Sequence, residues 1–206
     1  MILEFISKAM RHPMLKVQYK AVLCIVNFEQ GLIEHKDVKV IDPYLPSILE
    51  DMARIFENAL TTSNFTMLEA VLESMSSIAT INDFGPYYST FMPGLMKVVS
   101  MVTSDTPQKA NIKSRTIETM GDLLSSVKNN TELFNSECSN IMQSLIALQG
   151  QIDKEDIINR AIMAVYQNVV EVMKENFSIY SDFIFERAME AAVRPVDVQI
   201  IDELEK

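Results

Sequence analysis

Four apolar residues, Ile48, Leu95, Ile141 and Ala188, recur in one phase at spacings of 47, 46 and 47 residues. Met52, Val99, Leu145 and Ala192 repeat four positions later, and Asp42-Pro43-Tyr44-Leu45-Pro46 is echoed by Gly85-Pro86-Tyr87-Tyr88. A period of about 40–47 residues with two helices per unit is the signature of HEAT and armadillo arrays. It excludes most folds open to a chain of 206 residues. Armadillo units carry a third short helix, for which the connections leave little room, so HEAT is the preferred reading. The predicted fold is all-α, an α-α superhelix of about four helix pairs behind a leading helix.

The apolar positions between these anchors have helical spacing throughout. They comprise Val17, Ala21, Cys24, Ile25 and Phe28; Leu45 to Ala59; Met67 to Ala79; Leu95 to Val102; Ile117 to Val127; Ile141 to Leu148; Ile158 to Val172; and Phe183 to Ala192. No alternating strand pattern stands out. Only 5 glycines and 7 prolines are present, too few for a fold rich in tight turns. Asp42-Pro43 and Thr106-Pro107 place a capping side chain before proline at the first helical position, Thr66 with Glu69 has capping-box spacing, and Asp153 with Asp156 approximates it. Gly85-Pro86 separates two helices, and Pro93-Gly94 predicts a kink or a short first turn within the next.

The predicted units follow. Residues 1–11 are a helix left over from a preceding repeat. The repeats are 12–60, 61–102, 103–149 and 150–194, pairing 13–30 with 43–60, 66–81 with 86–102, 107–128 with 136–149, and 154–174 with 178–194. Residues 195–206 form an acidic tail. Each pair buries its apolar faces only against its neighbours, giving a curved rod. The uncapped apolar start Met1-Ile2-Leu3 with Phe5-Ile6 reads as a cut through a longer array.

The net charge of −10 disfavours nucleic-acid binding, because such a surface repels phosphate, and it favours basic partners. No stretch approaches the roughly 18 apolar residues of a membrane span, and residues 1–11 lack a signal-peptide layout. Cys24, inside an apolar run, reads as a buried thiol. Two distant cysteines, Cys24 and Cys138, fit a reducing compartment. The Asn-x-Ser/Thr sequons at Asn64, Asn129 and Asn176 have the frequency of chance. Catalysis finds no support. His12 and His35 have no spaced ligand partner, no glycine-rich phosphate loop exists, and Ser74, Ser76 and Ser77 suit a packed helix face better than a nucleophile. No cofactor or metal is implied. Tyr87, Tyr88 and Phe91 read as inter-repeat packing, with cargo contact by one tyrosine as the other reading. The carboxylates are the candidate site: Asp182, Glu186 and Glu190 recur at i, i+4 and i+8, and Glu50, Asp51 and Glu57 cluster on one helix. A solvated helix face is the plain alternative.

The segment Val71–Val99, VLESMSSIATINDFGPYYSTFMPGLMKVV, resembles the importin-beta superfamily, nearest its karyopherin-beta 3 branch. There an "SIA"-like helix end leads to a "PYY…MP" second helix. KVQYKAVLCIVNF (Lys16–Phe28) and KSRTIETMGDLL (Lys113–Leu124) resemble the flanking repeats in order and spacing. The likeness covers most of residues 12–194, with a shorter connection at Gly150–Glu155 than family members have. It implies a nuclear import receptor shuttling between cytoplasm and nucleus. Basic, lysine-rich cargo would be held on the concave face by Glu50, Asp51, Glu57, Asp182, Glu186 and Glu190. Ran GTPase and nucleoporins would be partners of the full-length receptor. A generic HEAT scaffold, phosphatase-subunit-like or an adaptor, is the alternative.

Overall fold

The computed structural model describes residues 2–35, 38–153 and 156–193. The tail from Pro195 lies outside them. Among the described residues there are nine α-helices and no strand: α1 (Ile2–Met10), α2 (Leu15–His35), α3 (Leu45–Thr61), α4 (Phe65–Ile81), α5 (Tyr88–Met101), α6 (Pro107–Ser126), α7 (Thr131–Gln149), α8 (Ile158–Met173) and α9 (Ser178–Ala192). The fold is an all-α helical-repeat array. The chain divides into two compact units, Met1–Val172 and Met173–Lys206.

Within the first unit the helices sort into two layers. The first helices α2, α4 and α6 lie side by side, and the second helices α1, α3 and α5 form the other row. Backbones also approach closely between α1 and α2, α3 and α4, and α5 and α6. Each of α1, α3 and α5 is thus backed by the first helix that follows it, so these pairs do not complete their cores alone. Three of the four anchors, Ile48, Leu95 and Ile141, are essentially inaccessible to water, whereas Ala188 on α9 is half-buried and Ala192 exposed. Met52 and Leu145 are inaccessible too, but in α5 the inward position falls on Val98 rather than on Val99, which is half-buried.

The seams between first helices are stitched by small polar side chains. The Ser74 hydroxyl donates to the Val22 carbonyl (3.0 Å), joining α4 to α2. Thr119 donates to the Leu72 carbonyl (3.4 Å), and its hydroxyl meets Ser76 at 3.1 Å, joining α6 to α4. Small residues permit this close stacking, and their hydroxyls are satisfied inside it. Gly121 allows α8 to reach α6, since a Cβ there would sit 2.9 Å from Val165 Cγ2. The end of α7 is tied to α8 through Gln149, which accepts from the Tyr166 hydroxyl and donates to Asn159 Oδ1.

Helix starts differ in detail from the sequence reading. Thr106 caps α6 as expected, accepting from Lys109 N–H. Asn64, not Thr66, caps α4, and Asn130 caps α7, so that helix begins at Thr131 rather than 136. Asp42 caps nothing; it accepts from Asn82 Nδ2 (3.0 Å) beside the 3-10 turn Val38–Val40. Asp156 accepts from Ile158 N–H, with Asp153 supplying only its carbonyl. Gly85–Tyr87 forms a 3-10 turn between α4 and α5, after which α5 runs unbroken through Pro93.

The α2 stripe is shifted by one position. Gln18, Ala21, Val22, Ile25, Glu29 and Leu32 face inward. Cys24 is consequently exposed, not buried. Cys138 on α7 is buried, and burial pushes its thiol up to about 11. In the second unit a 3-10 turn, Lys174–Phe177, leads into α9, where Ile184 is buried and Ile179, Phe185 and Met189 are exposed, as is Val193 just after the helix.

A cleft between second helices as candidate binding site

The aromatic residues and one glycine shape a cleft between α3 and α5. Phe84, Tyr88 and Phe91 are buried, with the Phe84 and Phe91 rings 5.6 Å apart, and Tyr87 meets the edge of Phe84 at 6.1 Å. This cluster fixes the start of α5, so packing accounts for Tyr88 and Phe91. Tyr88 has a buried hydroxyl without a hydrogen-bond partner, and burial, aided by the negative charge of Glu137, makes that hydroxyl harder to ionise. Phe84, which belongs to no predicted stripe, is the ring that holds the cluster together.

Gly94 then lets α5 come against α3. A Cβ at this position would stand 2.7 Å from Phe56 Cε1, well inside ordinary contact. Between the two helices lies an open cleft of about 360 Å³. Phe56, Leu60, Phe91 and Pro93 supply its apolar lining, and Thr61, Ser89, Thr90, Glu57 and Lys97 supply hydroxyls and charges. Glu57 and Lys97 are both exposed. A cleft of this kind has an apolar lining for a side chain and charged groups that select and orient it.

The predicted carboxylates take three different situations. Glu57 lines the cleft and Glu50 is exposed on the same helix. Asp51 is turned the other way, into the α1–α3 seam, where its residue is 3% exposed. There Arg11 Nε donates to both of its oxygens at 2.9 Å, Ser7 donates at 3.2 Å, and Arg54 Nη2 stands at 3.5 Å. Asp51, by hydrogen bond and then by charge, makes the Arg11 guanidinium harder to deprotonate. Arg54 also donates to the Met10 carbonyl (2.8 Å), closing the end of α1. Asp51 therefore acts as a structural link between successive second helices, and its buried charge is satisfied by the hydrogen bonds such a charge requires.

On α9, Asp182 and Glu186 are exposed while Glu190 is half-buried. Arg187 Nη1 donates to Glu190 Oε2 at 3.0 Å, and its guanidinium stacks 5.4 Å from the centre of the Phe183 ring. The acidic row is thus interrupted by one anchored cation, a residue the sequence reading passed over. His12 accepts from the Met14 N–H through Nδ1 and serves a turn. Among the described residues no three His, Cys, Asp or Glu side chains gather as a metal site would require, and no helix is long and apolar enough to cross a membrane.

No protein-family model matches the chain. Over 203 residues it is 25% identical to importin subunit beta-3 of Saccharomyces cerevisiae, across 97% of this chain and 17% of that protein. The chain therefore spans about a sixth of the curated relative it matches, and the likeness supports a distant, importin-beta-like relation.

Proposed function

We propose that this chain is part of a nuclear transport receptor of the importin type and serves as a non-enzymatic scaffold for basic cargo. The observation that carries the reading is similarity to an importin subunit along 97% of the chain, on an all-helical repeat fold. Under this reading Glu50 and Glu57 on α3, and Asp182, Glu186 and Glu190 on α9, attract lysine-rich segments. Asp51 contributes by fixing α3 against α1. Ran GTPase and nucleoporins are partners of the complete receptor, which would pass between cytoplasm and nucleus.

The attraction is collective. One exposed ion pair contributes about 0–1 kcal/mol, so affinity comes from the summed field of several carboxylates on a chain of net charge −10. The test is titration of a lysine-rich signal peptide against the wild type and the triple reversal Asp182→Lys, Glu186→Lys, Glu190→Lys, at low and high salt. A second reversal, Glu50→Lys with Glu57→Lys, probes α3. Weakening of roughly tenfold or more in the reversals, and weakening of the wild type with salt, is expected. Equal affinity in folded wild type and reversals removes these residues from the site; absence of binding to the wild type removes the cargo reading.

A further inference from the structure

Glu29 is fully buried, at 0% exposure, and neither of its carboxyl oxygens has a hydrogen-bond partner. It sits on the inward stripe of α2, against α4, where Ser77 is the polar side chain near enough to favour its charged form slightly. An unpaired buried carboxylate is among the least favourable groups a seam can hold, so the closed seam selects the protonated acid. The elements packed on α2 carry Glu4 and Lys8 on α1, Lys39 in the 3-10 turn, and Glu69 and Glu73 on α4. Among the described residues none of these charges bears on the Glu29 carboxyl. Two residues further along, Gly31 faces open space, and a mid-helix glycine weakens this stretch of α2.

We propose that the α2–α4 seam is a proton-operated flex point. With Glu29 protonated, the last turns of α2 stay packed on α4. With Glu29 ionised, they part far enough for water to reach the carboxylate. The arrangement makes the stacking of two successive helix pairs tighter in mild acid and looser above neutrality. It does not rest on what the array binds.

Burial raises the Glu29 acid from its ordinary 4.5 to about 7 in the closed seam. The closed state holds the proton more tightly, so closure is most favoured at low pH and weakens as pH rises from about 4.5 to about 7. Between pH 6 and 8 the population of the open seam rises about tenfold by linkage.

The test is hydrogen–deuterium exchange on the whole chain at pH 6 and pH 8, corrected for intrinsic exchange. Protection of amides 26–35 should fall about tenfold, while α7 amides change little. Glu29→Gln keeps the shape and cannot ionise, so its protection should not depend on pH. A wild-type seam with the same protection at both values overturns the proposal, as does a Gln variant that keeps the pH dependence. Should the variant fail to fold, the wild-type comparison of residues 26–35 with α7 decides alone.

Discussion

Replacing Gly94 by alanine sets two effects of opposite sign against each other. Alanine favours a helix interior by about 1 kcal/mol over glycine. The added Cβ, however, would lie 2.7 Å from Phe56 Cε1, when ordinary contact begins near 3.4 Å. Phe56 is 3% exposed and lines the cleft between α3 and α5, so the ring must shift within that lining to admit the methyl group. Overpacking of this kind costs about 1–3 kcal/mol, and the net expectation is a loss of about 0–2 kcal/mol. Gly31→Ala supplies the control, since its Cβ meets nothing within 4 Å and the helix preference acts alone. Propensity cancels in the difference between the two substitutions, leaving about 1–3 kcal/mol for the clash itself. Urea melts of both variants measure that difference, and Phe56→Leu should recover part of it if the ring is the obstacle. If Gly94→Ala stabilises the protein as much as Gly31→Ala does, the close approach of α3 and α5 is not what glycine serves there.

Three further outcomes test the register and the side-chain phases. Leu145→Ala should cost about 2–5 kcal/mol in a denaturant melt, because the residue is 1% exposed in the core of the first unit; Val98→Ala should cost more than Val99→Ala, the reverse of what the repeat spacing alone implies. One thiol per chain, Cys24, should react promptly with a thiol reagent at neutral pH, and Cys138 only after denaturation, since it is buried and its thiol is pushed up to about 11; two thiols reacting at equal rates in the native protein would show α7 to be misplaced.

The repeat was legible because the second helices present strong, regular stripes. Ile48, Leu95 and Ile141 are large, apolar and spaced by the full period, and each is essentially inaccessible in the fold. Pro93-Gly94 suggests a kink or a short first turn; the fold has a 3-10 turn earlier, at Gly85–Tyr87, and α5 then continues as helix through Pro93. The cap of α4 and the start of α7 differ from the reading because Asn64 and Asn130 make the capping bonds, while the sequence signals followed are Thr66 and the apolar run after Asn130.

The candidate site was less legible, and α2 and α3 show why. In α2 apolar residues occur on nearly every side, so the stripe through Val17, Cys24 and Phe28 counts more apolar positions than the true one. The true stripe contains Gln18 and Glu29, which a polarity count rejects. A helix packed by neighbours on more than one flank hides its phase, and the polar residue that breaks the pattern is then the informative one. Gln18 is satisfied by donating to the His12 carbonyl at 2.7 Å, whereas Glu29 has no hydrogen-bond partner. On α3 the same polarity rule placed Asp51 with Glu50 and Glu57 as one surface cluster. What distinguishes Asp51 is Arg11, forty residues earlier, together with Ser7, both brought across the seam by α1 and its end. Charge type and helical spacing identify which carboxylates a helix carries; which of them meet solvent depends on the side chains brought by the preceding repeat, and that pairing has no local signal in the sequence of α3.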